Sequence, residues 1–274
     1  MQIIEFLRDI KKAFREFLFP SYAPKFKGWY GMTLYTDPPW TNSFLNPESI
    51  EHKFNKLNDH LFFLVRDGSF ILSQFKDQKK IQNTLSQLSW RHYIVYWSCI
   101  YAINKTDCEE KNLVEVGVAD GLTVFFALNA AEQSKKTFNA FLYDTWSEVE
   151  LDNPSTKGKT REYSQLSINP TKNNLKSFEE NVSFIQGLIP ETLNNKKEPE
   201  KIIWLHIDLN SSKPTLETIQ HFWKKIDQGG LILLDDYAQP AYLDTKEVVD
   251  KWVSDQNKAQ ILQLPTSQAI IFKF

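Results

Sequence analysis

From residue 112 onward, short apolar runs alternate with longer segments of helical period, and each run closes on glycine, amide or acid. The runs are Leu113 to Val116, Phe138 to Tyr143, Val182 to Ile185, Ile202 to Ile207 and Leu231 to Leu234. They end at Gly117, Asp144, Gln186-Gly187, Asp208 and Asp235-Asp236 respectively. Between and after them, the spacing predicts helices over Leu122 to Glu132, Asn174 to Glu180, Thr215 to Ile226 and Asp244 to Gln256. Strands that alternate with helices imply a parallel, doubly wound α/β sheet, whose ligands bind beyond the carboxyl ends of the strands. Two further runs, Gln260 to Leu264 and Ala269 to Phe274, are joined only by Pro265-Thr266-Ser267. So short a link makes them antiparallel neighbours, a terminal hairpin that brings the sheet to seven strands.

The pattern ahead of residue 90 is different. Ile3, Phe6, Leu7, Ile10, Phe14, Phe17 and Leu18 fall on one helical stripe, with Arg8, Lys11, Lys12, Arg15 and Glu16 off it. Such a helix packs on its own domain or on a second subunit, as in a homo-oligomer. A helix lying on a membrane surface is the lesser alternative. Residues 20–60 are broken by Pro20, Pro24, Pro38, Pro39 and Pro47 and carry Trp29, Tyr30, Tyr35 and Trp40. This is irregular backbone, too apolar for a solvated linker, suited to covering the core or walling a substrate pocket. Leu61 to Phe75 places apolar residues around Asp67-Gly68-Ser69, which predicts a small hairpin. A long helix is expected over Lys80 to Asn104, with Ile81, Leu85, Leu88, Ile94, Val95, Trp97, Ile100 and Tyr101 inward. The chain thus divides into an N-terminal extension, 1–89, and a ligand-binding domain, 90–274.

The first strand leads into Glu115-Val116-Gly117-Val118-Ala119-Asp120-Gly121. Glycines between a strand and a helix let backbone approach a nucleotide-like ligand. The spacing is Glu-x-Gly-x-x-x-Gly, and Ala119 stands where a dinucleotide fingerprint needs its middle glycine for the diphosphate. A carboxylate two residues before the first glycine suits a cationic ligand without phosphate, which points to S-adenosylmethionine (SAM). In that arrangement Gly117, Val118 and Gly121 form the cofactor turn and Glu115 supports it. Asp144 accepts the ribose hydroxyls, and Gln186 and Gly187 flank the adenine.

Composition narrows the partners. A net charge of -2 gives no electrostatic footprint for nucleic acid, so the expected partner is a small molecule. Cys99 and Cys108 form neither a disulfide framework nor a metal spacing, which fits a cytoplasmic protein. No secretory signal or spanning segment is visible, since the first apolar residues are interleaved with charge.

Asp208, Asp235 and Asp236 close adjacent strands of such a sheet. Three converging carboxylates raise one another's pKa, and a cation relieves the repulsion; hard oxygen ligands suit Mg²⁺ or another divalent ion. Alternatively, one or two of them only cap helices or contact the cofactor.

Three segments carry a family resemblance: Val182 to Leu193, His206 to Thr215 and Gly229 to Tyr237. They resemble the matching segments of macrocin O-methyltransferases, the TylF/MycF/NovP-like group of class I SAM-dependent methyltransferases, and the resemblance covers roughly residues 90–274. It implies a Rossmann-like fold with a terminal hairpin. It also implies that Asp208, Asp235 and Asp236 hold a divalent metal, which orients vicinal sugar hydroxyls for methylation. The family commonly has an aspartate two residues after the first ligand, as the base; this chain has Asn210 there, and an amide accepts no proton. Either the metal makes the hydroxyl acidic enough, or another group takes the proton. His206, on the same strand face as Asp208, is the competing base, although a strand histidine in an apolar run is ordinarily a hydrogen-bonded core residue. His92 and His221 are expected to be structural.

These observations predict a metal-assisted, SAM-dependent O-methyltransferase of a hydroxylated small molecule, a sugar or glycosylated metabolite. The rivals are an NAD(P)-dependent oxidoreductase on a similar sheet and a SAM-binding module without turnover.

Overall fold

The computed structural model describes residues 48–153, 158–194 and 197–274. The amphipathic stripe of Ile3 to Leu18 and the aromatic, proline-rich segment up to residue 47 lie outside the described residues.

Helix α1, Ile50–Arg66, starts where the Ser49 hydroxyl accepts from the His52 amide at 3.1 Å. Its buried face is Phe54, Leu57, Leu61 and Val65. The hairpin expected around Asp67-Gly68-Ser69 is therefore not formed. The apolar residues there repeat at helical spacing, and Asp67 and Gly68, with φ of 108° at the glycine, terminate the helix. A short 3₁₀ turn, Ile71–Gln74, leads to α2, Gln78–Lys105, capped by the Asp77 carboxylate on the Lys79 amide at 2.9 Å. The inward face of α2 differs in part from the expected one. Ser89, His92, Tyr93, Tyr96, Ser98 and Cys99 are buried, whereas Leu88, Trp97, Ile100 and Tyr101 are only partly so.

The alternating elements follow: β1, Lys111–Val116; α3, Leu122–Gln133; β2, Phe138–Asp144; then a ribbon of β3, Val149–Asn153, and β4, Gly158–Glu162. Next come α4, Ile168–Asn174; β5, Val182–Gln186; β6, Ile202–Ile207; α5, Ser212–Phe222; and β7, Ile226–Leu234. The chain finishes with α6, Leu243–Ser254; β8, Ala259–Gln263; and β9, Ala269–Lys273. The main sheet has seven strands in the order β5-β2-β1-β6-β7-β9-β8, parallel but for β9, which pairs antiparallel with β7 and β8. This is the Rossmann-like methyltransferase architecture expected from the sequence. Two elements differ. The helix before β5 sits earlier than Asn174 to Glu180, which holds only a 3₁₀ turn at Lys176–Phe178. The antiparallel β3–β4 ribbon was not anticipated.

The central strands are buried on both faces, because helices cover each side. One layer packs α1, α2 and α3 on Leu113, Leu142, Trp204, Leu231 and Leu233. The other sets Ile219 and Phe222 of α5 and Val249 of α6 against Val114, Val116, Leu205, Ile207, Ile232 and Leu234. Pleating turns Glu115 and His206, which are register partners on β1 and β6, to the same face as Trp204. That face lies under α2, where the Trp204 indole donates to the Ser98 hydroxyl at 2.9 Å.

Candidate active site

A cavity of about 240 Å³ opens beyond the carboxyl ends of the parallel strands. Gly117, Asp144, Gly187, Asp208 and Asn210 line it, from the ends of β1, β2, β5 and β6 or the loops after them. The ribbon side closes it with Val149, Glu150 and Tyr163.

Gly117 is fixed by the neighbouring strand as much as by any ligand. Its φ is 88°, and a Cβ placed there would stand 1.8 Å from the Asp208 carbonyl oxygen. The turn that follows is tied down by Asp144. One carboxylate oxygen accepts from the Val118 and Ala119 amides, both at 2.8 Å, and the other accepts from the Trp146 amide at 2.7 Å. The Trp146 indole and the Thr171 hydroxyl then both donate to the Ala119 carbonyl at 2.8 Å. Asp144 is thus committed to the shape of the turn while it also faces the cavity. Asp120 extends the same turn outward by accepting from the Ile71 amide at 2.6 Å, which links it to the segment between α1 and α2.

The remaining expected cofactor residues occupy different places. Val118 is buried in the core and Gly121 is the N-cap of α3, so both build the turn from behind. The Gln186 amide donates to the Thr145 carbonyl at 3.0 Å, and Gly187 reaches the cavity. Glu115 is fully buried beneath the turn, 2.7 Å from His206 Nδ1. Burial, and then the charges of Asp208, Asp144 and Asp120, push its carboxyl well above the usual carboxylate range. Burial also depresses His206, to about 4. His206 also packs its ring on Trp204 with 22° between the planes. His206 is a fully buried histidine outside the cavity's lining. His92 likewise stacks on Phe126, and His221 pairs with Glu198.

The three aspartates do converge. One oxygen from each of Asp208, Asp235 and Asp236 lies within 4.8 Å of the others. Burial, followed by the Asp236 charge, lifts the Asp208 carboxyl to about 6, and burial raises Asp236 as well. Asp236 accepts from the Asn210 backbone amide and keeps a buried oxygen, Oδ2, without a partner. A hard cation fits this donor set, since three crowded carboxylates outnumber the one guanidinium beside them. Asp235 stands apart from the other two. Its Oδ2 is ion-paired with Arg91 of α2, and its Oδ1 accepts from the Gln268 amide at 2.8 Å. At the cavity wall, Asn210 donates to the Tyr163 hydroxyl at 2.5 Å, and both residues have positive φ, 49° and 65°.

Residues 114–237 match the family model of a methyltransferase domain. The matched stretch runs from β1 to just past the acidic pair and contains the cavity's glycines and all three aspartates. It supports SAM-dependent methylation as the activity of the domain. Among solved structures, the O-methyltransferase NovP aligns with a TM-score of 0.55 and 17% identity over 67% of this chain and 79% of that one. The calicheamicin methyltransferase CalS11 aligns with a TM-score of 0.51 and 16% identity over 86% of this chain and 98% of that one. At such identities the likeness carries the fold. No curated protein matches the sequence.

Sequence reasoning passed over Trp146, Tyr163, Gln268 and the partner of Arg91. Arg91 was visible as a charged residue on the helix before the first sheet strand, but its partner lies far away in sequence, just past the end of β7, beyond any local pattern. Trp146 lies two residues after Asp144, and that proximity was the one available signal for it. Nothing near Tyr163 distinguishes it from other loop aromatics.

Proposed function

We propose that the protein is a SAM-dependent O-methyltransferase of a hydroxylated small molecule, a sugar or glycosylated metabolite, as in the macrocin group. The observation that carries this is the position of the cavity: it lies on the strand ends of the stretch that matches a methyltransferase domain, between Gly117, Asp144 and Gly187 on one side and Asp208 and Asn210 on the other. SAM, when bound, supplies a methyl group on a positively charged sulfur. Gly117 and Gly187 line the place it would take, Asp144 shapes the turn beneath it and faces its ribose, and Val149 of the ribbon and Tyr163 just after it exclude water. The acidic centre of Asp208, Asp235 and Asp236 is the place for a divalent cation, which would draw the acceptor's hydroxyls and favour their ionised form.

Asn210 has no proton-accepting role; its amide orients Tyr163 and the acceptor side of the cavity. The proton leaves to solvent or to a carboxylate of the centre, because His206 is fully buried outside the cavity's lining. SAM at 100 times its dissociation constant should stabilise the fold by about 2.7 kcal/mol, raising the melting temperature by several degrees, whereas NADH should have no effect. Purified protein with SAM, Mg²⁺ and a panel of glycosides should release S-adenosylhomocysteine, and EDTA should suppress it. A melting temperature raised by NADH and untouched by SAM would end this proposal.

A further inference from the structure

We propose that Arg91 is a built-in counter-ion of the acidic centre: it keeps Asp235 as its own partner and leaves Asp208 and Asp236 as the carboxylates that meet a divalent cation. The inference rests on the cation reading above and concerns how the centre divides its labour. Both oxygens of Asp235 are engaged, one with the Arg91 guanidinium and the other with Gln268, and the side chain is 2% exposed. Arg91 arrives from α2, a different layer from the strands that carry the aspartates, and its side chain is 40% exposed. A guanidinium does not lose its proton in a protein, so this positive charge is permanent. Three carboxylates and one guanidinium carry a formal charge of minus two, which a single divalent cation neutralises. Without Arg91 the charge would be minus three.

A second observation points into the same cluster. His206 Nε2 is fully buried, has no hydrogen-bond partner and stands 3.8 Å from Asp235 Oδ1. The back of Asp235 is thus a closed, polar wall, and of the three aspartates Asp208 is the one that lines the cavity, with Asp236 hydrogen-bonded to it. A cation seated between those two is repelled by the guanidinium behind Asp235. Arg91 therefore weakens cation binding while it relieves the repulsion among the aspartates. A cation held loosely by the protein is completed by the acceptor's own oxygens.

The test is titration of the full-length protein with Mn²⁺, with free Mn²⁺ followed by electron paramagnetic resonance. Arg91→Gln should bind Mn²⁺ at least about tenfold more tightly than the unaltered protein, the equivalent of about 1.4 kcal/mol, because repulsion is lost and Asp235 is freed. Arg91→Lys, which keeps the charge, should stay within about threefold of the unaltered protein. The pair Arg91→Gln with Asp235→Asn restores the formal charge and both facing carboxylates, so it too should stay within about threefold. A merely structural arginine would not tighten a metal site when removed. Arg91→Gln with unchanged or weaker binding overturns the proposal, as does a tenfold loss in the pair, which would make Asp235 a direct ligand. If Arg91→Gln alone does not fold, the pair, which leaves no buried unpaired carboxylate, decides. Asp208→Asn separates the two levels. Unchanged Mn²⁺ binding there places the cation elsewhere and overturns the cation reading and this inference together, while SAM-induced stabilisation in the same samples reports independently on the methyltransferase reading.

Discussion

His92 shows how one buried side chain sets a pH limit. It is 3% exposed, its ring lies 4.4 Å from that of Phe126, and its Nδ1 has no partner. Burial, and then the neighbouring Arg91 charge, depress its pKa to about 3, against 6.5 for a free histidine. The folded protein therefore binds fewer protons than the unfolded chain between those values. The neutral ring's contribution is whole above pH 6.5 and is lost as pH falls toward 3, with a slope of up to about 1.4 kcal/mol per pH unit. His92→Leu should flatten the acid limb of a plot of melting temperature against pH across that window, which scanning calorimetry would reveal. An unchanged limb would place the acid sensitivity in other groups. Gly117 makes a related point about attribution. A glycine before a helix suggests room for a ligand, yet its nearest neighbour is the Asp208 carbonyl, so a methyl group there would first push two strands apart.

Among the elements, α1 belongs to the core of the sheet's helical layer. Leu61 is fully buried, and Phe54 sits 5.5 Å from Phe126 of α3 and 5.3 Å from Tyr93 of α2. Leu61→Ala should therefore cost about 2–5 kcal/mol in a denaturant titration, the range for a cavity left in a packed core. A loss under 1 kcal/mol would show that α1 is only loosely attached. This helix was the element least legible in the sequence, because Asp67-Gly68-Ser69 is a turn signal shared by hairpins and helix ends. The sheet strands were legible for the opposite reason. Burial on both faces demands unbroken apolar runs such as Ile202 to Ile207, and a doubly wound sheet leaves few other places for them. The β3–β4 ribbon has no such run, so its sequence leaves no apolar periodicity to find. The aspartates at the strand ends could be anticipated because topology brings strand ends together. The commitment of Asp235 to Arg91 could not, since it depends on how α2 crosses β6 and β7.

Over the whole molecule, the sheet is closed by a strand that enters from the side. β9 lies between β7 and β8, and Ile271 pairs with Ile232 on one neighbour and Ile261 on the other. A chain ending at Leu264 would lose β9, leave β7 as an unpaired apolar edge and set β8 free. It should lose the cooperative melting transition and aggregate, as circular dichroism and size-exclusion chromatography would show. A soluble, cooperatively melting truncation would mean that the parallel strands hold without their antiparallel edge. The same hairpin also delivers Gln268, which just precedes β9, to the Asp235 carboxylate. The acidic centre is therefore complete only when the hairpin is docked. Any transient opening of that edge removes a hydrogen-bond donor from Asp235 and leaves the carboxylate to Arg91 alone, so breathing at the rim of the sheet is felt at the acidic centre.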